Sequence, residues 1–293
     1  MERTHTILEK RQLSENVFSL RVNAPLIAAE RKAGQFILLS IDGEFGERIP
    51  LTIADADPEE GSITLIFQRV GMTTMKLAEM NVGDELAVLV GPLGLPTHIE
   101  NFGTVVCVGG GIGVAPMHPI VQALKAAGNK IITIIGARNQ ELMVLEDEMR
   151  AMSDELIVCT DDGSYGRKAL VTEPLKEICE RDPRPDLVVA IGPPIMMKFC
   201  AETTRPYEVH TMVSLNTIMV DGTGMCGGCR VIVGGKPKFV CVDGPEFDGH
   251  LVDFDGMMKR LRGYQPQERQ AVADYEAHSC NLDGAYREAT DKE

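Results

Sequence analysis

Val105-Val106-Cys107-Val108 runs straight into Gly109-Gly110-Gly111-Ile112-Gly113-Val114-Ala115-Pro116, and a helical pattern follows. Strand, glycine turn and helix form the context in which a backbone can cradle a phosphate. Glycines permit the tight turn and let the chain approach the ligand. The free N–H groups at the helix start then meet its negative charge. The spacing is not the plain G-x-G-x-x-G of an ordinary dehydrogenase. A turn without a ligand has the same composition, and what favours a nucleotide is the position at the first strand-to-helix turn.

Outward from this turn, residues 98–214 read as a doubly wound α/β unit. Apolar runs at residues 104–108, 130–135, 156–160, 187–191 and 208–213 alternate with helical patterns at 115–127, 141–152, 171–180 and 195–202. Near-continuous apolar strands are expected of a parallel sheet covered on both faces. Ligands in such sheets bind at the C-terminal ends of the strands. The expected nucleotide contacts are therefore Gly110, Gly111, Ile112, Gly113 and Pro116, then Gly136 and Arg138, then Asp161 and Asp162, then Gly192, Pro193 and Met196.

Before this unit, residues 1–97 read as a small antiparallel β-barrel. Strand candidates lie at residues 6–11, 16–22, 35–41, 62–70 and 85–90, with Gly and Pro punctuating the gaps, Gly43, Gly61 and Gly71 among them. Alternation is clearest where Phe18, Leu20 and Val22 share one face. After it, residues 215–293 form a third segment. Gly and Cys cluster between Asp221 and Cys241, one helix is expected over 267–278, and 283–293 look frayed.

The chain has 293 residues, 44% of them apolar, and carries a net charge of -14. That charge argues against a nucleic-acid binder, which needs a basic footprint. No apolar run reaches the ~18 residues of a membrane span. Met1-Glu2-Arg3-Thr4-His5 is polar and contains no secretory core, so a cytoplasmic location is expected. The eight Cys are then expected to be reduced thiols or metal ligands. Cys107, Cys159, Cys179 and Cys200 fit core packing, and Cys280 fits a surface thiol.

Arg48-Ile49-Pro50-Leu51-Thr52-Ile53 lies between the barrel strands. Together with residues 109–116 it resembles the ferredoxin–NADP reductase superfamily, where an R-x-P-[LFY]-[ST] motif binds flavin and a G-G-G-x-G-x-x-P motif binds the nicotinamide nucleotide. The resemblance implies that Arg48 contacts the FAD pyrophosphate and that Thr52 lies near the flavin N5 as the catalytic residue. Pro50, Leu51, Ile53 and Phe67 are the further flavin contacts it implies, with Gly71, Thr73 and Thr74 in a second phosphate-contacting turn. The chemistry agrees: a planar arginine fork suits a pyrophosphate, proline stiffens the loop, and a small hydroxyl can offer a hydrogen bond to a planar ring.

Asp221, Cys226, Cys229 and Cys241 follow the spacing D-x4-C-x2-C-x11-C. A C-x2-C turn places two thiolates on one metal, and soft thiolates select zinc or an iron–sulfur cluster. A structural zinc loop and an empty loop remain open alternatives; an upstream flavin gives a cluster a redox use. The segment resembles the electron-transfer subunit of dihydroorotate dehydrogenase, which has Cys where this chain has Asp221. In that respect it resembles instead the small subunit of NADH-dependent ferredoxin:NADP oxidoreductase, whose 2Fe–2S cluster has one Asp and three Cys ligands. The resemblance implies electron transfer between NAD(H), FAD and a 2Fe–2S cluster, and then to a larger glutamate-synthase-like flavoprotein and iron–sulfur subunit, with ferredoxin and electron bifurcation. A dihydroorotate dehydrogenase subunit and a non-catalytic redox-sensing module are the alternatives. The residues do not decide between NAD and NADP.

Overall fold

The fold is that of a computed structural model, which describes residues 5–42 and 46–290, with side chains as far as residue 277. Met1 to Thr4, Gly43, the Cys280 thiol and residues 291–293 lie outside the described residues.

Six strands build the first unit: β1 (Ile7–Ser14), β2 (Val17–Asn23), β3 (Phe36–Ser40), β4 (Ile49–Asp57), β5 (Ser62–Gln68) and β6 (Val88–Leu93). They pair antiparallel in the order β1-β2-β5-β4-β3-β6. A bridge from Thr6 to Glu85 closes the sheet into a barrel just before β6. The expected 85–90 strand is thus two pieces, a closing contact and then β6. Residues 48–53 are likewise not an inter-strand loop, because β4 begins at Ile49. Two short helices were not legible: α1 (Pro25–Glu30) and α2 (Met72–Glu79).

The run of β3 has no exposed residue, and its two faces explain why. Ile37 and Leu39 fill the barrel. Phe36 and Leu38 belong to a second core shared with the nucleotide sheet and the Cys-rich segment. Both faces are covered, so alternation disappears.

The second unit contains β7 (Thr104–Gly110), α3 (Val114–Ala126), β8 (Lys130–Ala137), α4 (Glu146–Met152), β9 (Glu155–Thr160) and β10 (Arg167–Lys168). It continues with α5 (Thr172–Cys179), β11 (Leu187–Ile191), α6 (Pro194–Thr204) and β12 (His210–Ser214). With a last strand β15 (Glu246–Asp248) from the third segment, the sheet order is β10-β9-β8-β7-β11-β12-β15, parallel except at that strand. The helix expected over 141–152 is shorter, because Leu145 takes a left-handed backbone conformation just before α4.

The third segment holds β13 (Arg230–Val233), β14 (Lys236–Phe239), the single turn α7 (Val240–Asp243), β15 (Glu246–Asp248), α8 (Phe254–Arg262) and α9 (Gln265–Thr290). It is not set apart from the sheet, since β15 adds antiparallel to β12. The expectation of a frayed end from residue 283 is corrected as far as Thr290, where α9 ends.

Candidate functional site

The strand order reverses at β7, with β8 on one side and β11 on the other. That switch point opens a crevice at the C-terminal ends of the strands. Gly110, Gly111, Ile112 and Gly113 line one lip and Gly192 and Pro193 the other. The two lips touch: a Cβ added at Gly113 would lie 2.4 Å from the Ile191 carbonyl oxygen. Only glycine lets α3 start so close to β11. Pro116 sits in the first turn of α3, where its missing N–H costs no helical bond. Met196 fills the slot between the lips, since a Cβ on Gly110 would meet its Sδ at 2.3 Å.

Further along the same edge, Arg138 is exposed after β8 and its guanidinium has no hydrogen bond or ion pair within the described residues. Asp161 and Asp162 follow β9, and their N–H groups donate to the Ala137 and Arg138 carbonyls at 3.0 and 3.2 Å. Asp162 also accepts the Ser164 N–H at 2.8 Å, so its carboxylate closes its own turn. Gly136 packs against Val171; a Cβ there would meet Cγ1 at 2.3 Å. Glycine is required there by packing.

On the barrel, Arg48 is exposed and Pro50, Leu51 and Thr52 are half-buried along β4. The Thr52 hydroxyl has no partner within the described residues. Ile53 and Phe67 are each 1% exposed inside the barrel. Phe67 stacks on Phe18 with ring centroids 6.0 Å apart. Neither side chain offers surface to a flavin, so what these two positions can present is backbone. The Thr73 hydroxyl donates to Glu47, and Thr74 Oγ1 accepts the Gly71 N–H at 2.9 Å as the cap of α2. What this turn can present to a phosphate is its backbone at the helix start, not its hydroxyls.

A cleft of about 1250 Å³ runs from this turn to the third segment. Its walls come from Gly71 and Thr73, from Thr217 and Gly228, and from Arg260 and Arg269 on α8 and α9. Thr217 is 7% exposed, and its hydroxyl has no hydrogen-bond partner. Such orphan groups are uncommon and call for a ligand or a water. The volume, the helix start and the orphan hydroxyl fit a large polar cofactor such as FAD. Thr217, Arg260 and Arg269 were not legible in the sequence. No motif marks them, and only the fold brings them to the barrel.

The Cys-rich loop borders this cleft through Gly228 and packs on β3. Gly222 has φ +72°, and a Cβ there would strike Leu38 Cδ1 and Leu93 Cδ1 at 2.7 Å. Leu38 pairs with Pro50 in the β3–β4 ladder, so the loop sits directly over the flavin motif. Asp221 ties the loop: Oδ1 accepts the Thr223 N–H at 2.6 Å and Oδ2 the Cys226 N–H at 2.5 Å. The Thr223 N–H, the leading influence, and the Cys226 N–H hold its carboxyl below the ordinary range. Each oxygen keeps a further lone pair for a cation.

Cys229 and Cys241 are each 2% exposed, and their sulfurs stand 3.3 Å apart. Burial, foremost, pushes the Cys241 thiol up to about 12. Cys226 is exposed, and its sulfur accepts the Gly228 N–H at 3.4 Å. Among the described residues no three of these donors converge on one point. Two buried thiols in contact, an ionised carboxylate and a loop threaded through left-handed glycines nevertheless suit a soft metal centre.

A family model for the iron–sulfur cluster binding domain of dihydroorotate dehydrogenase B matches residues 216–253, and one for an oxidoreductase NAD-binding domain matches residues 107–202. The Thermotoga maritima dihydroorotate dehydrogenase B electron transfer subunit homolog is 48% identical over 90% of this chain and 92% of its own. The chain belongs to the dihydroorotate dehydrogenase B electron-transfer-subunit family. It is an oxidoreductase subunit with a ferredoxin-reductase-like fold, and its family partners it with a larger subunit. The Bacillus caldolyticus dihydroorotate dehydrogenase B electron transfer subunit is 32% identical over 83% of this chain and 95% of its own. A solved structure of NADH-dependent reduced ferredoxin–NADP oxidoreductase, described for flavin-based electron bifurcation, superposes on this family member with a TM-score of 0.88. It is 45% identical and covers 94% of this chain and 99% of its own. Among the described residues no helix is long and apolar enough to cross a membrane.

Proposed function

We propose that this chain is the small, electron-transfer subunit of an NADH-dependent reduced ferredoxin:NADP oxidoreductase. The observation that carries the reading is Asp221, which stands where dihydroorotate dehydrogenase subunits have a first Cys and which ties the cluster loop through both oxygens. The 45% identity and the TM-score of 0.88 over 94% of the chain to that oxidoreductase support it.

When bound, FAD and a 2Fe–2S cluster supply the conversion of a two-electron hydride into single electrons. The chain's own residues do the rest. Gly110, Gly111, Ile112 and Gly113 bind the nucleotide phosphates at the start of α3, and Gly192 and Pro193 shape the opposite lip. Arg138 reads the outer end of the nucleotide, with NAD(H) preferred and NADP(H) the competitor to test. Arg48 and the backbone at Gly71 hold the flavin pyrophosphate. Pro50 and Leu51 fix the strand that carries Thr52, whose unengaged hydroxyl is positioned to meet the flavin edge. Asp221, Cys226, Cys229 and Cys241 hold the cluster. No general acid or base is required for hydride transfer, because the nicotinamide carbon itself releases the hydride.

The partner proposed is a larger glutamate-synthase-like flavoprotein and iron–sulfur subunit, with ferredoxin as electron carrier and bifurcation as the joint activity. A cytoplasmic location goes with this reading. The test is a visible and EPR spectrum of the anaerobically reconstituted chain before and after NADH, then activity with candidate large subunits. Flavin bleaching, a reduced-cluster signal and NADP-linked turnover with the glutamate-synthase-like subunit are expected. Turnover only with a dihydroorotate-oxidising subunit would move the assignment to pyrimidine synthesis. Spectra without flavin or iron would overturn it.

A further inference from the structure

Arg260 projects from α8 and donates from Nη2 to the Gly228 carbonyl at 3.2 Å. Gly228 is the last residue before Cys229 in the C-x2-C turn. The other hydrogen bonds to this turn come from its own neighbourhood: the Asp221 carboxylate takes the Cys226 N–H, the Cys226 sulfur takes the Gly228 N–H, and the Arg230 N–H reaches the Gly227 carbonyl at 3.3 Å. From outside the turn, the Val240 N–H on α7 reaches the Cys229 carbonyl at 3.3 Å, and Arg260 is the one side-chain cation that reaches the turn among the described residues. It also lines the cleft proposed for FAD, and it has no carboxylate partner there.

A trans peptide points its carbonyl and its N–H in opposite directions. With the Gly228 carbonyl held by Arg260, the N–H of the same peptide, that of Cys229, points away from the cleft. Cys229 is 2% exposed, and its N–H makes no hydrogen bond within the described residues, where the backbone bonds formed by Cys229 run through its carbonyl to Val240. A buried, unpaired N–H is rare and is usually spoken for by a ligand.

We propose that Arg260 is a positioning residue of the cluster site: it turns the Cys229 N–H toward the cluster sulfurs, sets a permanent cation against the loop, and so raises the cluster's reduction potential. The inference rests on the cluster reading above. Reduction adds one electron to the cluster, supplied by the reduced flavin, and no bond forms or breaks. The added negative charge is stabilised by an N–H aimed at sulfur and by the nearby guanidinium, two of the levers that set such potentials. Solvent screens the charge because Arg260 is exposed, so the peptide orientation carries the larger part.

The test uses the full-length holoprotein with Arg260→Ala, Arg260→Met and Arg260→Lys. Iron, sulfide and FAD contents are measured first, then the cluster is titrated by EPR against ambient potential. Arg260→Ala and Arg260→Met, which remove both charge and donor, are expected to lower the ratio of reduced to oxidised cluster at fixed potential by about tenfold, or about 59 mV for one electron. Arg260→Lys, which keeps charge and donor, is expected to recover most of it. Because the alanine variant can release its cluster, the methionine variant, which keeps the length of the stem, decides: a loaded Arg260→Met cluster titrating with the wild type overturns the proposal. A wild-type chain without iron instead overturns the cluster reading itself.

Discussion

Thr52 stands across the ladder from Phe36, half-buried and with its hydroxyl uncommitted, while Thr73 and Thr74 have spent theirs on Glu47 and on the cap of α2. The difference decides which threonine is free to meet a flavin. Replacing Thr52 with Val, which keeps the β-branched shape, is expected to leave FAD bound and to slow flavin reduction by NADH about tenfold, the worth of one transition-state hydrogen bond. Stopped-flow bleaching of the flavin reads this directly, and an unchanged rate would remove Thr52 from the reaction. Thr217 makes the opposite kind of case. Its orphan hydroxyl is a cost in the empty protein, so Thr217→Val is expected to hold or raise the thermal stability of the apoprotein. The same change is expected to weaken FAD binding about tenfold, on the scale of one net hydrogen bond. Flavin-fluorescence titration beside a melting curve separates the two effects, and equal FAD affinity would place the flavin elsewhere.

At the scale of elements, the nucleotide crevice depends on how closely α3 begins against β11. Gly113→Ala pushes a Cβ to 2.4 Å from the Ile191 carbonyl oxygen, and that backbone cannot yield without moving the strand end. A loss of about 1–3 kcal/mol in stability is expected from such overpacking, together with weaker nucleotide binding as the helix start retreats from the phosphates. Denaturant midpoints and NADH titrations measure the two. Full affinity in the alanine variant would mean that the phosphates sit elsewhere along the edge. The same element explains why the barrel and the sheet stay in register, for His118 Nδ1 lies 3.1 Å from the Ala54 carbonyl on β4.

Across the whole molecule, three units meet at Glu246. It lies on β15, accepts the Thr97 hydroxyl at 2.5 Å, and would stand 2.9 Å from a Cβ on Gly34 of the barrel. Burial raises its carboxyl above the ordinary value of 4.5, with the Thr97 hydroxyl opposing. The folded state therefore binds this proton more tightly than the unfolded chain does. The resulting stability is fully present below pH 4.5 and is lost as pH rises toward the elevated value. Glu246→Gln, neutral throughout, is expected to flatten that part of the urea-midpoint profile. A variant whose slope matches the wild type would show that the junction does not hold the proton.

The local chemistry of this protein is written in its sequence. Residues 105–116 specify strand, turn and helix by composition and order, the D-x4-C-x2-C-x11-C spacing falls within the stretch that matches an iron–sulfur cluster binding domain, and the R-x-P-x-T run leads into β4. Each is a short-range pattern, in which residue type and spacing act over a few bonds. The three-dimensional arrangement was not legible in that way. Phe67 faces the barrel interior because β5 pairs with β2 in a register that sends its ring onto Phe18. The third segment returns to the nucleotide sheet through β15, which no linear pattern announces. The cleft that joins Gly71 to Thr217 and Arg260 is lined from residues nearly two hundred positions apart. Such contacts depend on which buried faces find each other, and burial is settled by the whole chain packing at once.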